Sequence, residues 1–131
     1  MDKKPLKRAD LVYPELSYKI VGVLFGVYND LGYGLRERNY QNAISVGLKE
    51  AGLKFTEQLY CPVIYKGENI GKNYFDFLIE NKVVLEIKKG DKFSKSHIDQ
   101  VYNYLVSANL KLGILAYFSP KNIHFKRIVN L

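Results

Sequence analysis

Tyr74-Phe75-Asp76-Phe77-Leu78-Ile79, the turn Glu80-Asn81-Lys82, and then Val83-Val84-Leu85-Glu86-Ile87-Lys88 decide how this chain folds. Both flanking runs are dense in aromatic and branched apolar residues, the composition of strands that lie in a core. Each nevertheless carries charge. Side chains alternate along a strand, so Glu86 and Lys88 share one face while Val83, Leu85 and Ile87 share the other. Asp76 adds a second acid from the neighbouring run. Three charged groups in such a setting are costly unless they pair or hold a cation.

Outward from that hairpin the pattern continues in both directions. Lys54 to Tyr65 and Asn69 to Ile79 read as two strands joined at Lys66-Gly67-Glu68. Upstream, Ile20, Val21, Leu24, Val27, Tyr28 and Leu31 recur at helical spacing, which predicts a helix over Glu15 to Leu31, ended by Gly32-Tyr33-Gly34. A second helix is predicted over Arg36 to Ala51, with Tyr40, Ile44, Leu48 and Ala51 as its apolar stripe. Downstream, Lys95 to Asn109 reads as a helix capped by Ser94 or Ser96. Leu112 to Phe118 and Ile123 to Val129 read as strands. The order α-α-β-β-β-α-β-β implies an α/β protein, with a mixed sheet and helices packed on it. Residues 1–12 read as a basic, flexible arm, and 13–131 as one domain.

The chain has 131 residues, 47% of them hydrophobic and 25% charged, with 11 Tyr, 7 Phe and no Trp. This is globular composition, not that of a disordered chain. The longest strongly apolar run, Ile20 to Tyr28, is far shorter than the roughly 18 residues of a membrane span. The basic residues Lys3, Lys4, Lys7 and Arg8 are not followed by the apolar segment of a signal peptide, so a cytoplasmic location without a membrane is expected. The single Cys61 leaves no internal disulfide and no cysteine-based zinc site. The formal net charge of +7 favours a polyanionic partner. Lys82, Lys88, Lys89, Lys92 and Lys95 fall close to the acid-bearing strand, although a solvated basic loop has the same look.

Two carboxylates on adjacent strands, with the Ile87 carbonyl between Glu86 and Lys88, supply the hard oxygens that Mg²⁺ prefers. Such a cation polarises a phosphodiester and acidifies a water, and Lys88 would balance charge in the transition state. The competing reading is a Glu–Lys pair on a half-solvated sheet face with Asp76 at an edge. Glu37 shares the core-facing side of its helix with Tyr40, Gln41, Ile44 and Leu48, so it would join a metal site directly or through a water. On the residues alone the stronger reading is an acid stabilised at a helix N-terminus. His97, Gln100 and Tyr104 lie at i, i+3 and i+7 along the edge of the Ile98, Val101 and Leu105 stripe. There they either lean over the sheet toward a substrate or face water. No phosphate-cradling glycine loop, serine-hydrolase elbow or histidine-rich centre is present.

Gly34-Leu35-Arg36-Glu37-Arg38-Asn39-Tyr40 fits G-x-x-E-x-x-Y. The ordered set from Leu16 to Val129 resembles the GxxExxY proteins of the PD-(D/E)XK nuclease superfamily. It includes Val63-Ile64-Tyr65-Lys66-Gly67, His97 to Leu105, and Leu110 to Leu115. The resemblance implies a restriction-endonuclease-like αβββαβ core with flanking helices. It implies catalytic roles for Asp76, Glu86, Lys88 and Glu37. It also implies metal ligation by Asp76, Glu86, the Ile87 carbonyl and Glu37. Gln100 and Tyr104 match a Q-x-x-x-Y helix motif, and His97, Lys89 and Tyr40 join them as expected substrate contacts. The implied activity is Mg²⁺-dependent cleavage of DNA, with Mn²⁺ as a substitute, and a homodimer for cutting two strands. The sequence departs from the family pattern at Tyr74, where an arginine is common, and no proline precedes Asp76. A silent nucleic-acid-binding module with the same fold is the alternative.

Overall fold

A computed structural model describes residues 11–90 and 92–131 of the protein. Helix α1 (Pro14–Leu31) and helix α2 (Glu37–Glu50) precede three strands, β1 (Phe55–Tyr65), β2 (Glu68–Ile79) and β3 (Val83–Lys89). Helix α3 (Lys95–Ala108) then leads into β4 (Leu112–Phe118) and β5 (Ile123–Val129). The strands form one sheet in the order β1-β2-β3-β4-β5. Only β3 and β4 run parallel, because α3 carries the chain back across the sheet between them. This is the mixed α/β sheet with flanking helices that the sequence pattern predicts. The element boundaries differ from the predicted ones by a residue or so. Pro14 begins α1, where its fixed φ and missing N–H suit a first helical turn. Arg36 caps α2 from outside, and the Asn39 Oδ1 accepts its backbone N–H at 3.3 Å.

Two apolar layers sandwich the sheet. On one side Val83, Leu85 and Ile87 pack under Ile20 and Leu24 of α1 and Ile44 and Leu48 of α2. On the other, Val84 and Leu115 pack against Val101 and Leu105 of α3. Strand β4 is buried along its whole length, as a parallel strand covered on both faces should be. Alternation therefore puts Glu86 and Lys88 on the α3 side with Val84. Of the basic arm expected at residues 1–12, residues 1–10 lie outside the described residues. Val12 is buried in the α1–α2 layer. Among the described residues, no helix is long and apolar enough to cross a membrane.

Strand β2 breaks strict alternation. Phe75 and Phe77 are two residues apart, yet Phe77 lies in the α1–α2 layer and Phe75 in the α3 layer. The β1–β2 ladder pairs Glu57 with Phe77 and Leu59 with Phe75, but skips Gln58 and Asp76 between them. Gln58 has φ +52°, in the left-handed region, which explains the interruption. The β2–β3 ladder likewise ends at Phe77–Leu85. Asp76 thus sits where the strand turns over and both ladders open.

Two glycines test the packing. A Cβ on Gly113 would lie 2.6 Å from Cγ1 of Val101 and 3.7 Å from the Val84 carbonyl. Gly113→Ala should therefore push α3 off the sheet and cost about 1–3 kcal/mol, read as a fall in thermal midpoint of several degrees. Gly22, in the interior of α1, has open space around its Cβ position. Gly22→Ala should raise stability by up to about 1 kcal/mol in the same assay.

Candidate active site at the end of the β2–β3 ladder

Beyond Phe77–Leu85 the next opposed residues on β2 and β3 are Asp76 and Glu86, and their side chains replace the missing backbone bonds. The Ile87 N–H donates to Asp76 Oδ2 at 2.7 Å. The Asp76 N–H donates to Glu86 Oε1 at 3.2 Å. From α2, Gln41 Nε2 donates to Asp76 Oδ1 at 2.6 Å. Both carboxylates are buried, at 8% exposure for Asp76 and 7% for Glu86. Buried backbone and side-chain donors are thereby satisfied, as a sheet interior requires.

Burial raises the Asp76 carboxyl above its usual range. The hydrogen bonds from Glu86 and Ile87 and the charge of Lys88 pull it back, and Glu37 pushes it up again. Burial, reinforced by the hydrogen bond and charge of Asp76, pushes Glu86 up to about 9. Two carboxyls so close and so dry cannot both ionise, so without a cation they hold a proton between them. Lys88, half-buried on the same strand face as Glu86, brings the compensating positive charge.

The other expected residues divide into three groups. Glu37, half-buried at the start of α2, accepts the Lys89 N–H at 3.1 Å, which ties the helix to the end of β3. Among the described residues no cluster of three or more Asp, Glu, His or Cys forms, so Glu37 stands beside the carboxylate pair as a neighbour. His97 lies close enough that Lys88 and Glu37 both affect it. Burial and the Lys88 charge lower its pKa, and Glu37 raises it. Its Nδ1 is 2.6 Å from the hydroxyl of Tyr117, the residue of β4 opposite Lys88. Gln100 and Tyr104 line a groove between α3 and the β1–β2 hairpin, with Asn73, Asn103 and Ser107. The Tyr104 ring packs 4.9 Å from Phe75, next to Asp76 in the chain.

Two expected substrate contacts have other places. Tyr40 is fully buried and stacks on Phe118 at 4.3 Å. Its hydroxyl donates to the Gly32 carbonyl at 2.6 Å and accepts the Leu35 N–H at 3.3 Å. It pins the α1–α2 loop and has no atom left for a substrate, which corrects the sequence expectation. Lys89 is exposed, with Nζ 5.1 Å from the Tyr33 ring, and meets the site through its backbone. Sequence reading passed over Gln41 and Tyr117. Gln41 was recoverable from its i+4 spacing after Glu37 on the same helix face. Nothing local in the sequence marks Tyr117, because its partners come from α3.

The family model of the PD-(D/E)XK nuclease superfamily matches residues 14–128. No curated protein matches the chain. Among solved structures, the crystal structure of SSO0001 is similar with a TM-score of 0.56 at 20% identity. The likeness covers 94% of this chain, which spans 62% of that one. An alkaline exonuclease from Laribacter hongkongensis aligns with a TM-score of 0.48 at 12% identity, over 88% of this chain and 82% of that one.

A carboxyl whose folded pKa lies above its unfolded value stabilises the fold below the ordinary carboxylate range, and that contribution is lost as pH rises through the folded pKa. For Glu86 the window runs from its usual 4.5 up to about 9. Glu86→Gln keeps a side chain of the same shape and removes the titration. In chelator, its thermal midpoint should gain on that of the wild type steadily as pH rises across this window. A constant difference between the two melting curves would contradict the shift.

Proposed function

The chain belongs to the PD-(D/E)XK nuclease superfamily, and on that premise we propose that it cleaves phosphodiester bonds in DNA with a divalent cation, Mg²⁺ or Mn²⁺, held by Asp76 and Glu86. Nuclease-type chemistry is the superfamily's, and its members generally use divalent metal ions. The observation that carries the reading is the buried carboxylate pair at the opening of the sheet, joined through Ile87 and faced by Lys88.

The donors fit such a cation. Both side chains offer hard oxygens, the arrangement a small divalent ion favours, and the Ile87 carbonyl is a third candidate. The cation would replace the shared proton as the balancing charge and, when bound, would polarise a phosphate oxygen. Every other part belongs to the chain's own residues. Gln41 and the Ile87 N–H fix the Asp76 carboxylate by both oxygens. Lys88, on the face of Glu86, sits to stabilise negative charge that develops on the phosphate. Glu37 holds the end of β3 through the Lys89 amide and contributes negative charge beside the pair. Gln100 and Tyr104 flank the approach from α3. The G-x-x-E-x-x-Y spacing of Gly34 to Tyr40 in the sequence supports membership of the GxxExxY branch.

Incubation of single-stranded, duplex, flapped and junction DNA with Mg²⁺ or Mn²⁺ tests the reading. Wild type should cleave at least one form and lose that activity in chelator. Asp76→Ala and Lys88→Ala should each lower the rate by about a hundredfold or more. Equal cleavage by all three proteins would mean that these residues carry no chemistry.

A further inference from the structure

Strands β1 and β2 extend beyond Asp76 as a hairpin whose two faces differ. Leu59, Cys61 and Phe75 pack toward the α3 layer. The intervening residues turn the other way, to the side from which Gln41 of α2 reaches Asp76. The register pairs Tyr60 with Tyr74 and Pro62 with Lys72, so these four share that outer face. All four are exposed, and the two tyrosines keep 46% and 49% of their surface in water. Their rings lie 5.6 Å apart. The platform is fixed from the side, because Asn69 Nδ2 donates to the Tyr60 hydroxyl at 3.2 Å while Asn69 Oδ1 accepts the Gly71 N–H at 3.1 Å. Along β2 the outer face therefore presents Lys72 and Tyr74 about 7 Å apart, and the strand then runs to Asp76, where it turns over and where Gln41 reaches it from the same side. Arg38 stands at the far end, lining a small cleft with Gln41, Gln58 and Asp76.

We propose that Tyr60 and Tyr74 form a stacking platform for unpaired bases of a DNA strand that runs along the hairpin into Asp76. This rests on the nuclease reading for the identity of the strand. The chemistry of the face selects it. Aromatic rings accept any base face, and cations beside them track the phosphates. A chain of formal charge +7 draws a polyanion. Bases inside a duplex are already stacked and present only edges and backbone, so the platform favours single-stranded, flapped or frayed DNA over intact duplex.

Fluorescence anisotropy in chelator separates binding from cleavage. The probes are a short labelled single-stranded DNA and a blunt duplex of the same sequence. Tyr60→Ala should weaken single-strand binding about tenfold, and so should Tyr74→Leu, which keeps an apolar side chain on the exposed strand. Tyr60→Phe and Tyr74→Phe should bind as wild type, since the ring and not the hydroxyl does the work. Duplex affinity should change less than twofold in every variant. Thermal melting of each variant confirms that it is folded, and Tyr74→Leu serves if Tyr60→Ala is not. Unchanged single-strand affinity in the folded variants, or equal loss on duplex, overturns the platform. If the variants lose binding as expected while wild type cleaves nothing with metal, the nuclease reading fails and the platform stands. Cleavage with no effect of the tyrosines gives the reverse.

Discussion

The fold turns on an exchange between Asp76 and β3. Where β2 and β3 would next trade backbone hydrogen bonds, the Asp76 carboxylate takes the Ile87 N–H and the Glu86 carboxylate takes the Asp76 N–H. The β2–β3 pairing is thus continued by side chains where its backbone ladder opens. That substitution puts two acids in a dry environment, which is unfavourable unless a proton or a cation stands between them. A hydrophobic pair could have continued the ladder without that cost. The site is therefore a local departure from what folding alone would select, the usual mark of residues kept for chemistry.

The elements around the exchange serve to hold it. Helix α2 supplies Gln41 to one oxygen of Asp76 and Glu37 to the amide of Lys89, so both sides of the opening are anchored to a single helix. Tyr40, between them in sequence, is buried on Phe118 and fixes how that helix leaves the α1–α2 loop. Helix α3 closes the other face through Val101 and Leu105 on Val84 and Leu115. Its His97 meets Tyr117 beside Lys88. One face of the opening is thus framed by α2 and the outer hairpin, the other by α3, and the carboxylates lie between them.

Most of this framework was readable from periodicity. The 3.6-residue spacing of Ile20, Leu24 and Val27 marks a helix buried on one face, and the short apolar runs of β3 and β4 mark strands covered on both. Asp76, Glu86 and Lys88 stood out because charge interrupts an apolar pattern. Three things were not readable. The turnover of β2 depends on Gln58 at φ +52°, and glutamine carries no signal for a left-handed backbone. Tyr117 acts through a partner on α3, which no local pattern reports. Tyr40, in the same seven-residue stretch as Glu37, reads as functional, yet its side chain is consumed by packing and two hydrogen bonds.

The side chains that continue the sheet are also the proposed cation site. Isothermal titration of Mn²⁺ or Mg²⁺ into chelator-stripped protein, without nucleic acid, tests it most directly. The account predicts one saturable site per chain in the wild type, lost in Asp76→Asn and strongly weakened in Glu86→Gln, while Tyr74→Leu binds normally. Absence of saturable binding in the wild type, or identical isotherms for wild type and Asp76→Asn, would contradict it.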